Sequence, residues 1–177
     1  MRKPPEIETG AIRAVPVLSV SPIEEDHRFL EDNIFSNYWT PYTGAHWKLH
    51  RSLSLESALT ALQENQIPIV ISESDLLPGT WKDMLARIKL LPSPPLLIVT
   101  SRHADEHLWT EALNLGAYDV VAKPFDHHEL IRIVSFAWLH WNDKYSTSPP
   151  KVIPRTERDA RHELRGTWGV LAGDRRR

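Results

Sequence analysis

Leu96-Leu97-Ile98-Val99, a helical pattern from Ala104 to Leu115 closed by Gly116, and Tyr118-Asp119-Val120-Val121-Ala122 read as strand, helix and strand in succession. The first run is apolar at every position, as expected of a strand buried on both faces. Gly116 stands where a helix ends in the left-handed conformation that glycine adopts without steric cost. Strands joined through a helix lie parallel, because the crossover returns the chain to the starting edge. The unit predicts a parallel sheet covered by helices.

The alternation continues in both directions. Asp126 caps a last long helix through Leu130, Val134, Ala137 and Trp141. Upstream, Thr80-Trp81-Lys82-Asp83 is a capping box with Asp in the usual Glu place, opening a helix through Met84, Leu85 and Ile88. Ile67 to Ile71 reads as the third strand, and Ser54 caps a helix with Leu55, Ala58, Leu59 and Leu62 on one face. Residues 45–51 alternate weakly as a second strand. Ala14 to Val20 is the first, followed by Ser21-Pro22 as N-cap and first-turn proline of a helix to about Phe35. Five strands alternating with five helices, joined by right-handed crossovers, predict a doubly wound, flavodoxin-like α/β sandwich of three layers. It spans residues 14–144. Residues 1–13 read as a disordered tail, and residues 145–177, opening on Ser146-Thr147-Ser148-Pro149-Pro150, as a linker and a flexible basic tail in which 156–165 is at best a marginal helix.

Composition narrows the function. Of 177 residues, 41% are hydrophobic and 25% charged, enough to bury an ordinary core. The formal charge is −2, and a balance so near neutrality argues against a general nucleic-acid or membrane binder. The charge is divided: residues 151–177 carry eight basic and four acidic residues, the remainder 13 and 19. The chain has no cysteine, which excludes thiolate metal sites and Cys nucleophiles. With no signal-like start and no long apolar run, a cytoplasmic location is expected. Nine histidines include His103 and His107 four apart and the pair His127-His128, but no three converge with ligand spacing, so no metal site is expected. Nucleophile-elbow, dinucleotide and Walker motifs are absent.

In folds of this kind the working residues stand at the carboxyl ends of the strands. Here those positions hold Ser21-Pro22, Glu73-Ser74-Asp75, Thr100-Ser101 and Lys123-Pro124-Phe125. With Gly116-Ala117 before the last strand and Leu76-Leu77-Pro78-Gly79 after the third, the set resembles a response-regulator receiver (CheY-like) domain over roughly residues 14–144. The resemblance implies a phosphorelay role in a two-component system. An Asp at the end of the third strand would accept a phosphoryl group, and an acidic pair after the first strand would help bind Mg2+. A Lys and a Thr hydroxyl would contact the phosphoryl group.

The sequence departs from that pattern where it matters most. Ser21 and Pro22 occupy the acidic-pair positions, and neither supplies a carboxylate. Glu24, Glu25 and Asp26 follow inside the helix, where they are expected to favour its dipole and face solvent. The acceptor-equivalent position is Glu73 by strand phasing. Counting back from Pro78 gives Ser74 instead, and Asp75 is a third candidate in the loop. Glu73 carries its carboxylate one methylene further out, so Lys123 can pair with it directly and Thr100 can donate to it, as in a receiver held on. The plainer reading is a strand-end salt bridge. Val120 stands where the family's switch uses an aromatic ring. Lys123-Pro124 serves equally well as a fold feature, with Pro124 open to the cis form.

The expectation is a stand-alone degenerate receiver that is not an enzyme, needs no cofactor and acts through protein partners. A homodimer through the fourth helix, fifth strand and fifth helix is one possibility, with Trp109 and Trp141 as candidate anchors. Trp81, beside the Pro-Gly loop, either covers the site or packs its helix. Two alternatives stand. One is a phosphoacceptor using a shifted acidic set of Glu24, Glu25, Glu73 and Asp75 with Mg2+. The other is a small-molecule module with a pocket at Ser21, Ser74 and Trp81.

Overall fold

Strand parity decides how the sheet is covered. The computed structural model describes residues 14–35 and 46–145; the expected tails lie outside them except for Tyr145, which ends the last helix. Five parallel strands, β1 (Ala14–Val20), β2 (His46–Ser52), β3 (Ile69–Glu73), β4 (Leu96–Ser101) and β5 (Asp119–Ala122), lie in the order β2-β1-β3-β4-β5. This is the flavodoxin-like order predicted for the α/β alternation. Leu18, Val20, Val70, Leu97, Val99 and Val120 point to one face, where α2 (Leu55–Glu64), α3 (Trp81–Ile88) and α4 (Glu106–Leu115) cover them. Val15, Val17, Ile69, Ile71, Ile98 and Val121 point to the other, against α1 (Glu24–Leu30) and α5 (His127–Tyr145). Alternate residues feed alternate cores, which is why the strands read as unbroken apolar runs.

Pro16 is tolerated inside β1 because pairing with β3 begins only at Val17, so its missing N–H costs no bond on that side. The caps of α2 and α3 form as the sequence predicts. Ser57 N–H donates to Ser54 Oγ at 3.3 Å, and Thr80 N–H donates to Asp83 Oδ2 at 2.9 Å. Glu129 N–H donates to Asp126 Oδ1 at 2.7 Å, so Asp126 opens α5. Gly116 ends α4 at φ +99°.

Three helix boundaries differ from expectation. The first helix starts at Glu24 after Ile23, whose side chain makes no cap. Ser21 is drawn elsewhere: its hydroxyl accepts the Ile23 N–H at 3.1 Å and donates to Asp26. The helix does not run unbroken to Phe35 either. After Leu30 it widens into a π-helical turn, Glu31–Phe35. The fourth helix opens at Glu106 rather than Ala104, because Asp105 accepts the Leu108 N–H at 2.8 Å and so fixes the cap.

Candidate functional site

The parity that sends Ile69 and Ile71 towards the α1 and α5 layer sends Glu73 there as well, two residues further along β3. Thr100 follows Ile98 and Lys123 follows Val121 in the same way, so all three emerge at the carboxyl edge of one face. The Lys123-Pro124 peptide is cis. Lys123 lies between two carboxylates: its ammonium donates to Glu73 Oε2 and to Asp26 Oδ2. The side chains of Lys123, Glu73 and Asp26 are only 5%, 9% and 11% exposed. In such a setting an ion pair is weakly screened, and removing one partner leaves a costly uncompensated charge.

Each carboxylate is held on its other contacts too. Glu73 Oε1 accepts the Ser74 N–H at 3.0 Å and lies 3.0 Å from Ser74 Oγ. Ser74 Oγ is also 3.2 Å from Ser101 Oγ, which accepts the His103 N–H at 3.1 Å. Ser21 Oγ donates to Asp26 Oδ2 at 2.6 Å. The Lys123 ammonium lies 5.5 Å from the centre of the Phe125 ring, which contacts Phe29 at 5.4 Å between centroids. Above the triad a hollow of about 390 Å³ opens between Glu25, Asp26, Phe29, Arg102 and Phe125.

Asp26 corrects an expectation. Glu24 and Glu25 are exposed, and Glu24 pairs with Arg51 at 3.1 Å on the surface. Asp26 instead turns inward. It sits one helical turn before the buried Leu30 and beside the fully buried His27, so it belongs to the packed face of α1. His27 fixes that face to β1, with Nδ1 2.8 Å from Ser19 Oγ and Nε2 3.0 Å from the Ser21 carbonyl oxygen. The spacing from Asp26 to Leu30 was the available signal. A solvated dipole residue and a site residue differ here by one position on the helix.

Thr100 also departs from the expected contact. It pairs with Glu73 in register, but its hydroxyl donates to the Ser72 carbonyl at 3.3 Å. Glu73 takes its hydroxyl contact from its neighbour Ser74. Asp75 is exposed past the strand end, in an isolated bridge with Thr80. Val120 is fully buried on the opposite face, in the core beneath α3 and α4. Ser21 is buried, and Pro22 is exposed.

The candidate tryptophans are turned inward. Trp141 is buried, donates its indole N–H to the Pro94 carbonyl at 3.0 Å and stacks on Trp138 at 5.9 Å, so it has no surface to offer as an anchor. Trp109 is half-buried against the core beneath α3 and α4. Trp81 is buried in the same core and packs its helix rather than covering the site, so it lines no pocket with Ser21 and Ser74.

The donor set does not fit a divalent cation. The family positions after β1 hold a hydroxyl and a proline. The two carboxylates that do converge, Asp26 and Glu73, already share the Lys123 ammonium. Among the described residues, no group of three or more His, Asp or Glu side chains could hold a metal ion. Two titratable groups at the start of β5 are shifted. Burial, and then the neighbouring Asp119 charge, raise the Tyr118 phenol. Burial raises the Asp119 carboxyl, with the Val120 N–H and Arg132 opposing.

Comparison with known proteins agrees with the fold. The response regulator receiver domain family matches residues 44–135, a little over half of the chain. No curated protein matches the sequence. The signal receiver domain of an HD domain-containing protein from Pseudomonas fluorescens Pf-5 superposes with a TM-score of 0.66 at 25% identity, over 77% of this chain and 95% of that one. The receiver domain of a putative LuxO repressor protein from Vibrio parahaemolyticus gives 0.66 at 15% identity, over 75% and 95%. The chemotaxis response regulator CheY4 of Vibrio cholerae gives 0.60 at 14% identity, over 71% and 99%. Among the described residues no helix is long and apolar enough to cross a membrane.

Proposed function

The chain belongs to the response regulator receiver domain family, and we propose that it is a degenerate receiver whose acceptor centre is held closed by Lys123. On this reading the protein transmits a two-component signal in the cytoplasm by binding protein partners, with no phosphorylation of an Asp and no catalytic activity of its own. One observation carries the reading: the Lys123 ammonium is bonded to both Glu73 and Asp26 in a nearly closed site. To accept a phosphoryl group, Glu73 would have to give up Lys123 and the Ser74 donors together, and expose a carboxylate with no divalent charge beside it. The ammonium supplies the neutralising charge that a metal would otherwise bring.

The shifted phosphoacceptor reading has less support: Glu24 and Glu25 are exposed, and Asp75 is exposed past the end of β3. Of the expected dimer face, Leu113 and Leu115 on α4 and Phe136 and Leu139 on α5 are exposed apolar side chains, which supports a protein partner on those helices without Trp141. Incubation of the full chain with acetyl phosphate and Mg2+, followed by intact-mass measurement, tests the proposal. The expected result is an unmodified chain. A stoichiometric adduct that maps to Glu73, Ser74 or Asp75 contradicts it.

A further inference from the structure

Between α2 and α3 runs a groove of about 620 Å³. Its floor is Leu55, Leu59, Pro78 and Ala86, and its rims carry Glu56 from α2 and Arg87 from α3. Leu77, next in sequence to the lining residue Pro78, is 86% exposed, the most exposed large apolar side chain among the described residues, and Leu53, next to the lining residue Ser54, is 60% exposed. A leucine this bare at the mouth of an apolar groove leaves two apolar surfaces uncovered side by side.

The rim charges indicate what covers them. Neither Glu56 nor Arg87 has an ion-pair partner among the described residues, whereas the neighbouring Lys82 is paired with Glu111. Asp83, the third charged residue of the lining, is taken up by the Thr80 cap. A surface that carries an exposed apolar knob, an apolar hole, an unpaired anion on one helix and an unpaired cation on the other can complement itself. Under a two-fold axis each knob meets the other copy's hole and each charge meets its opposite.

We infer that the α2–α3 face binds a second copy of this chain, with Leu77 of each copy seated in the other's groove and Glu56 facing the other copy's Arg87. The helices that frame the face are about 15 Å and 12 Å long at 1.5 Å per residue, so the buried surface falls at the small end for specific interfaces. The dimer is therefore weak and depends on concentration. The inference is independent of the reading of the triad, which lies on the opposite face of the sheet.

Sedimentation velocity of the full chain from about 10 µM to about 500 µM reads the equilibrium. A monomer–dimer equilibrium is expected across this range. Leu77→Asp should leave a monomer throughout, and because the side chain is exposed its circular dichroism should be unchanged. Glu56→Arg and Arg87→Glu should each weaken association at least ten-fold, because each places like charges together. The double exchange Glu56→Arg with Arg87→Glu should restore it. A wild-type chain that stays monomeric, a dimer untouched by Leu77→Asp, or a double exchange no better than the single changes would each overturn the inference.

Discussion

Replacing Lys123 with Met keeps the length of the side chain and removes its charge. Glu73 and Asp26 are then left as two carboxylates in a site where their side chains are 9% and 11% exposed, with only Ser74 and Ser21 as remaining donors. Stripping one partner from a buried ion pair costs about 3–5 kcal/mol. Loss of the ammonium above the Phe125 ring adds a smaller amount, about 0.5–1 kcal/mol. For a chain of this size a loss of 3–5 kcal/mol lowers Tm by about 6–20 °C. Adding Glu73→Gln removes one of the two stranded charges, so the double variant should be more stable than Lys123→Met alone. The pair should show a coupling energy of about 2 kcal/mol. Urea unfolding followed by tryptophan fluorescence measures Lys123→Met, Glu73→Gln and the double variant, since the buried Trp47, Trp81 and Trp141 report on both cores. A cost below about 1 kcal/mol for Lys123→Met, or zero coupling with Glu73, would refute the claim that Lys123 holds the two carboxylates together.

Ser21→Ala removes the 2.6 Å hydrogen bond to Asp26 and should cost about 1–2 kcal/mol by the same assay. Asp119 provides a test by pH. Burial raises its carboxyl above the ordinary range, so its ionised form opposes folding at neutral pH, and that penalty fades as pH falls through the raised value. Asp119→Asn should therefore melt above wild type at pH 7, and the two should converge below about pH 4. Gly116→Ala, at φ +99° and with its new methyl group 3.2 Å from Lys89 Nζ, should lose about 1–2 kcal/mol on calorimetry, part of it through displacement of the Lys89 ammonium from the Leu115 carbonyl.

Much of the fold was legible because its signals are local. The apolar runs at 69–71 and 96–99, the caps at Ser54, Thr80 and Asp126, and the stop at Gly116 each specify their element within a few residues. Strand parity also carried Glu73 and Lys123 to the same edge, which phasing from the sequence could anticipate. The third member of the triad was harder to read. Asp26 lies in a run of three acids, and only the turn of α1 separates the buried one from the two exposed ones. Thr100 was misread for a related reason. Its position in register with Glu73 is visible in sequence, but the choice between the Glu73 carboxylate and the Ser72 carbonyl is made by rotamer and packing. Trp141 shows the limit for large side chains. Its helical spacing fits both a core and an interface, and the deciding contact is the Pro94 carbonyl, 47 residues away.

The central claim is that Lys123 occupies the charge position of the acceptor centre, so the protein needs neither a divalent cation nor a phosphoryl group. A titration with Mg2+, followed by beryllofluoride as a mimic of the acyl phosphate, read by backbone amide shifts and tryptophan fluorescence, tests it most directly. The account predicts no saturable change around Asp26, Glu73, Thr100 and Lys123 under either addition. Saturable Mg2+ binding, followed by a beryllofluoride response spreading from Glu73 or Asp75 to Thr100 and Lys123, would contradict it and restore a phosphorylation-dependent switch.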